Sequence, residues 1–131
     1  MENPIGNEQS QVLVADDDPA ILKMVKTVLE KEGYEVLMCR DGREVYKLLS
    51  SSTRFAAAIF DVKMPHIEGT ELLKYMRADK RLINIPVIIM TAEENSRILQ
   101  EIYQAGAVAF LPKPFAVSHL QTLLRTFAAK T

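Results

Sequence analysis

Apolar positions along this chain follow two alternating rhythms: short solid runs, and longer stretches in which they return every three or four residues. A solid run bounded by Asp, Gly or Pro reads as a strand covered on both faces, and the three-to-four spacing reads as a helix with one buried stripe. Five solid runs occur, at Gln11–Ala15, Tyr34–Cys39, Phe55–Phe60, Ile85–Met90 and Val108–Leu111. A helical stretch follows each of them. The first opens at Asp18-Pro19, where Asp suits the N-cap and Pro suits the first helical position, whose N–H has no partner in any case. Ile21, Met24, Val25, Val28 and Leu29 carry it to Glu32, and Gly33 supplies the stop. Arg40-Asp41-Gly42 turns the chain into a second helix, from Arg43 to Ser51, with Val45, Leu48 and Leu49 inward. Gly69-Thr70 opens a third, bearing Leu72, Leu73 and Met76 and ending near Ala78-Asp79. Ile98, Leu99, Ile102 and Ala105 mark a fourth, closed by Gly106. Leu120, Leu123, Leu124 and Phe127 mark a fifth, over residues 116–128.

Five strand–helix alternations with short connections predict an α/β fold, a doubly wound five-stranded parallel sheet with helices on both faces. The expected strand order is 2-1-3-4-5, the flavodoxin-like (βα)5 arrangement. That order makes strands one and three neighbours. An open parallel sheet binds its ligands beyond the carboxyl ends of the strands, and the chemically loaded residues stand there: Asp16 and Asp17 after the first run, Asp61 after the third, Thr91 after the fourth, Lys113 after the fifth. The scaffold converges on Asp61, which ends the run Ala56-Ala57-Ala58-Ile59-Phe60 and precedes Val62-Lys63-Met64-Pro65.

Composition refines this picture only at its margins. The 131 residues, 48% hydrophobic and 25% charged, fit one ordinary globular domain over 11–129, preceded by a short mobile leader at 1–10. That leader lacks the basic start and apolar core of a signal peptide. A formal net charge of −1 argues against a nucleic-acid or anionic-membrane surface as the main business of the chain. One cysteine, Cys39, allows no intrachain disulfide and suits a reducing cytoplasm. No apolar run approaches the roughly 18 residues that suggest a membrane span.

Three carboxylates gathered within about 5 Å repel by roughly 3 kcal/mol per pair at an effective dielectric near 20. A divalent cation removes that penalty, and an all-oxygen donor set suits Mg2+. A carboxylate beside Mg2+ can attack phosphorus and become an aspartyl phosphate. Such transfer asks the protein for positioning, a cation and hydrogen-bond donors, which Lys113 and the Thr91 hydroxyl supply, with the small Ala92 leaving room for approach. A cis Lys113–Pro114 bond is expected, to aim the lysine back at Asp61.

The acidic pair Asp16-Asp17, Asp61 with Met64-Pro65, Thr91-Ala92 and Lys113-Pro114-Phe115, in that order, resemble the receiver domain of two-component response regulators over nearly the whole chain. The resemblance implies that Asp61 is the phosphoacceptor and that its donor is a histidine kinase or histidine phosphotransfer protein. It implies that Asp17, Asp61 and the Lys63 backbone carbonyl bind Mg2+ directly, that Asp16 acts largely through water, and that Lys113 and Thr91 hold the phosphoryl oxygens. In the family Thr91 moves toward the phosphoryl group while the aromatic at Phe110 turns inward, altering the surface of helix four, strand five and helix five. Many members have tyrosine where this chain has Phe110, so a switch through that hydroxyl is not open to it. The chain then acts as a signalling phosphoacceptor that catalyses its own phosphorylation and dephosphorylation, not as an enzyme on an outside substrate, and it changes contacts with a downstream protein. No nucleic-acid contact is expected from this chain.

Rival readings fit less well. A phosphorylation-independent interaction module would be favoured by loss of an acid, Thr91 or Lys113, and all are present. A phosphohydrolase usually carries a second acid two residues after its nucleophile, where Lys63 stands, and a nucleotide binder would meet three repelling aspartates after the first strand. Other residues take plainer roles: Asp18 as a cap, His66 and His119 as isolated, solvated histidines, and Met24, Met38, Met76 and Met90 as core fillers. Lys63 and Glu93 are expected to pair across the mouth of the site and slow water attack. Tyr103 is expected on the output face.

Overall fold

The computed structural model describes residues 10–51, 54–64 and 66–128, so Pro65, the leader up to residue 9 and Ala129 at the end of the expected domain lie outside the described residues. The element order is β1 (Gln11–Ala15), α1 (Pro19–Lys31), β2 (Glu35–Cys39), α2 (Gly42–Ser51), β3 (Phe55–Asp61), α3 (Gly69–Ala78), β4 (Val87–Thr91), α4 (Ser96–Gln104), β5 (Ala109–Pro112) and α5 (Val117–Phe127). The strands form one sheet in the order β2-β1-β3-β4-β5, every pairing parallel, as the alternation of runs predicts.

Alternation along the strands splits the core into two layers. Leu13, Ala15, Ala58, Phe60 and Ile89 face α2, α3 and α4, where they pack with Val45, Leu49, Leu72, Met76 and Ile102. Val12, Val14, Ala57, Ile59, Ile88 and Met90 face α1 and α5, and pack with Leu22, Val25, Leu29, Leu120 and Leu124. Strands covered on both sides have no polar face, which is why the sequence runs are solid.

Helix ends follow the local chemistry. The Asp18 carboxylate accepts the Ala20 N–H at 2.9 Å, and Pro19 opens α1. Asn95 accepts the N–H groups of Arg97 and Ile98 to start α4. Gly33 and Gly106, with φ of 93° and 121°, turn the chain out of α1 and α4 through the left-handed region.

Some limits differ from those the pattern predicts. β4 begins at Val87 instead of Ile85, because Ile85 is committed elsewhere: its N–H donates to the Leu82 carbonyl, and its own carbonyl accepts Arg77 Nη1 at 3.0 Å. Met38, expected in the core, is 45% exposed; although it pairs with the buried Val14, β2 is an edge strand and, among the described residues, no strand pairs on its other side. Met24 is half-buried, whereas Met76 and Met90 are fully enclosed. Among the described residues no helix is long and apolar enough to cross a membrane.

Candidate functional site

Strand register builds the site. Ala15 pairs with Phe60, so the next residues of β1 and β3 bring Asp16 to Asp61; Asp61 pairs with Met90, and Thr91 with Pro112, which puts Thr91 and Lys113 at the same end. The Lys113 N–H donates to the Thr91 carbonyl at 2.8 Å, carrying the ladder one residue beyond the strands. The Lys113–Pro114 peptide is cis, as expected.

Asp16 is fully buried. One of its oxygens accepts the Asp18 N–H at 2.9 Å and the other accepts Lys113 Nζ at 2.6 Å. The same ammonium donates to Asp61 Oδ2 at 3.0 Å, so one cation bridges two carboxylates. The second Asp61 oxygen accepts the Lys63 N–H at 3.3 Å. Burial lifts the Asp16 carboxyl above the usual range, outweighing the bonds from Lys113 and Asp18 that favour the charged form, and the Asp61 charge adds to the lift. Burial also works against the Lys113 ammonium, but its bonds to Asp16 and Asp61 more than offset it, and its pKa is raised.

Asp17 is exposed at the same rim, and one oxygen from each of Asp16, Asp17 and Asp61 lies within 4.8 Å of the others. Three carboxylates face one ammonium there, a hard all-oxygen set with negative charge to spare. That donor set fits a divalent cation such as Mg2+. Beside it opens a cleft of about 310 Å³, lined by Asp61, Lys63, Thr91, Ala92, Glu93 and Lys113. Thr91 is nearly buried, and its hydroxyl oxygen accepts the Glu93 N–H at 2.9 Å, so the hydroxyl proton can be given to a group in the cleft.

Asp16, Asp17, Asp61, Thr91 and Lys113 are therefore all brought together. The expected Lys63–Glu93 pair is not. Both side chains line the cleft, but the Glu93 carboxylate accepts the N–H groups of Glu94 (3.2 Å) and Asn95 (2.9 Å), and among the described residues no ion pair joins it to Lys63. Local amides reach it first. Phe110 is half-buried on β5, its ring centroid 5.9 Å from that of Tyr103, which is 58% exposed on α4. His119 is exposed. His66 is exposed too but is not isolated, since Arg43 Nη2 lies 3.0 Å from its Nδ1.

Sequence reasoning missed Arg77. Its Nε and Nη2 donate to the Gly106 carbonyl (3.2 and 2.8 Å) and its Nη1 to those of Ile83 and Ile85, so one half-buried guanidinium ties α3 to the approaches of β4 and β5. An arginine in the last turn of a helix gives no such signal in the pattern.

Comparison with known proteins agrees with this geometry. The chain belongs to the response regulator receiver domain family, whose model matches residues 12–125. It is 33% identical over 121 residues to the response regulator MprA of Mycolicibacterium vanbaalenii, covering 92% of this chain and 51% of that protein. It is 34% identical over 119 residues to the transcriptional regulatory protein CrdR of Helicobacter pylori, covering 91% and 55%. The chain thus spans about half the length of these curated relatives. Among solved structures it is similar to the chemotaxis response regulator CheY4 of Vibrio cholerae, with a TM-score of 0.84, 34% identity and coverage of 90% of this chain and 98% of that one. It is also similar to the receiver domain of the sensor histidine kinase PA1611 of Pseudomonas aeruginosa, with a TM-score of 0.82, 25% identity and coverage of 90% and 96%; that domain was solved with a magnesium ion coordinated in its active-site cleft.

Proposed function

We propose that this chain is a phosphoacceptor that takes a phosphoryl group onto Asp61 from a phosphohistidine on a histidine kinase or histidine phosphotransfer protein. The observation that carries the reading is the Lys113 ammonium bridging Asp16 and Asp61 beside a third carboxylate and the Thr91 hydroxyl. An Asp61 oxygen forms a bond to phosphorus while the phosphorus–nitrogen bond of the donor breaks and its electron pair returns to the imidazole. Asp17, Asp61 and the Lys63 backbone carbonyl would hold Mg2+ directly, with Asp16 acting through water, and the ion supplies positive charge for the phosphoryl oxygens. Lys113 supports the transferring group from the other side by exchanging a carboxylate oxygen for a phosphoryl oxygen. Thr91 donates its hydroxyl to another, and Glu93 N–H releases Thr91 Oγ1 as it moves.

Displacement of Thr91 empties space next to β5, into which Phe110 turns. Its ring leaves that of Tyr103, and the α4–β5–α5 face that meets a downstream protein changes. The phosphoryl group is lost again by water attack at phosphorus in the same site, so the chain catalyses its own phosphorylation and dephosphorylation. A cytoplasmic donor and the thiol of Cys39, 1% exposed and without a disulfide partner, suit a reducing compartment.

Incubation with Mg2+ and acetyl phosphate, followed by mass spectrometry, tests the reading. A single phosphate is expected on the peptide containing Asp61, absent without Mg2+ and absent from Asp61→Asn. Equal phosphate uptake by Asp61→Asn would overturn it.

A further inference from the structure

One polar contact outside the acidic cleft joins the loop after β3 to the start of α2. The loop from Val62 to Glu68 is closed at its base, where Gly69 N–H donates to the Val62 carbonyl at 3.0 Å and Val62 N–H donates to that of Met90 at 3.3 Å. Its outer part leans on the start of α2. There Arg43 Nη2 donates to His66 Nδ1 at 3.0 Å, and Ile67 lies so close over Gly42 that any Cβ at that position would collide with the Ile67 carbonyl oxygen. His66 holds a φ of 74°, a left-handed conformation that a non-glycine residue keeps only when its surroundings enforce it. A guanidinium offers donors only, so the bond fixes the ring with Nδ1 bare and its proton on Nε2, which lies 4.0 Å from Asp41 Oδ2. The imidazole thus sits between two charged side chains of the α2 start, three residues beyond Lys63.

We infer that Arg43 and His66 form a latch that holds the β3–α3 loop in place, so that α2 sets how well the Lys63 carbonyl is presented to Mg2+. The inference rests on the metal reading above. Both are positioning residues, because neither reaches the acidic cluster.

Calorimetric titration of the full chain with Mg2+ at neutral pH tests it. Arg43→Ala and His66→Gly are each expected to raise the dissociation constant about three- to tenfold, the loss of one charge-assisted hydrogen bond. Glycine at position 66 keeps the left-handed turn but offers no acceptor, and so separates the bond from the backbone. The double variant is expected to be no weaker than either single one, since both remove the same bond. His66→Asn is expected to bind as the wild type does, because asparagine tolerates this backbone region and its side-chain oxygen can accept from Arg43. The metal-free melting temperatures should stay together. If Arg43→Ala binds Mg2+ like the wild type, or His66→Asn falls with the other variants, the latch is wrong while the metal reading stands; if the wild type binds no Mg2+ at millimolar concentrations, both fall.

Discussion

Replacing Lys113 with methionine asks whether Asp16 can remain charged in its buried place. Lys113 Nζ stands 2.6 Å from Asp16 and 3.0 Å from Asp61, and at an effective dielectric near 20 each contact is worth roughly 6 kcal/mol before desolvation is counted. Desolvating the ammonium and fixing a long side chain cancel much of that, and breaking a buried pair from one side costs about 3–5 kcal/mol. The Asp61 side chain, 14% exposed, can recover some hydration, whereas that of Asp16, at 0%, cannot. A loss of about 3 kcal/mol at neutral pH is therefore expected, and Asp16 must carry most of it. The loss must also depend on pH. The Asp16 pKa is higher folded than unfolded, so the fold penalises its ionised form: stability is fullest below the unfolded carboxylate value and declines as pH rises through the folded one. Removing the lysine raises the folded value further and widens that window upward. Urea unfolding of the wild type, Lys113→Met and Asp16→Asn/Lys113→Met between about pH 5 and pH 8 reads the effect directly. The deficit of the single variant should shrink toward the acid end, and the double variant should recover most of it, because asparagine still accepts the Asp18 N–H without a charge. A deficit of constant size across the range, or a double variant as unstable as the single one, would refute this account of the site.

Mg2+ at a hundredfold excess over its dissociation constant should stabilise the protein by about 2.7 kcal/mol in thermal or urea unfolding, reversibly with chelator, and Asp17→Asn should lose the gain; an undiminished gain would place the ion elsewhere. Gly106→Ala should cost about 2 kcal/mol, because φ is 121° and the new Cβ would meet Arg77 Nε at 2.6 Å, and Arg77→Lys should cost a similar amount by removing the paired hydrogen bonds to the Gly106 carbonyl; stabilities within about 0.5 kcal/mol of wild type, roughly the noise of a neutral surface change, would contradict the clamp. Cys39 is 1% exposed, and its thiol is pushed up to about 12 by burial and by the charges of Glu44 and Asp41, so an aromatic disulfide reagent should leave it untouched in the native state and react on unfolding; rapid native reaction would mean that β2 opens.

The fold is legible in the sequence because both of its determinants are periodic. Solid apolar runs such as Val12-Leu13-Val14-Ala15, short and bounded by turn residues, read as strands enclosed on two sides, and the spacing of Leu120, Leu123 and Leu124 reads as a helix with one buried stripe; right-handed crossovers then leave little choice of topology. The acids are legible for a related reason, since they stand where enclosed strands end, at the edge of the sheet where an open parallel fold binds its ligands. What escapes is contact between polar groups distant along the chain. Arg77 and Gly106 lie 29 residues apart, Arg43 and His66 23 apart, and neither pair belongs to any periodic pattern. The Lys63–Glu93 pairing fails in the opposite sense: charge alone suggests it, but the Glu93 carboxylate finds two backbone N–H groups of its own turn within reach, and these need no long side chain to be held in place.

On the proposed function, Lys113 links the electrostatics of the resting site to the order of events in it. In the structure two of the three N–H groups of its ammonium are engaged, bridging a buried Asp16 to Asp61, so a turn away from Asp16 toward a phosphoryl oxygen would leave the Asp16 charge in an environment that already disfavours it. Another positive charge near Asp16 and Asp17 would lift that constraint and free the lysine to follow the phosphoryl group. On the proposed function, the under-neutralised acid cluster would thus favour release of Lys113 after a cation has bound. A lysine held by Asp61 alone would lack that bias, so on the proposed function the burial of Asp16 is expected to couple metal binding to transfer.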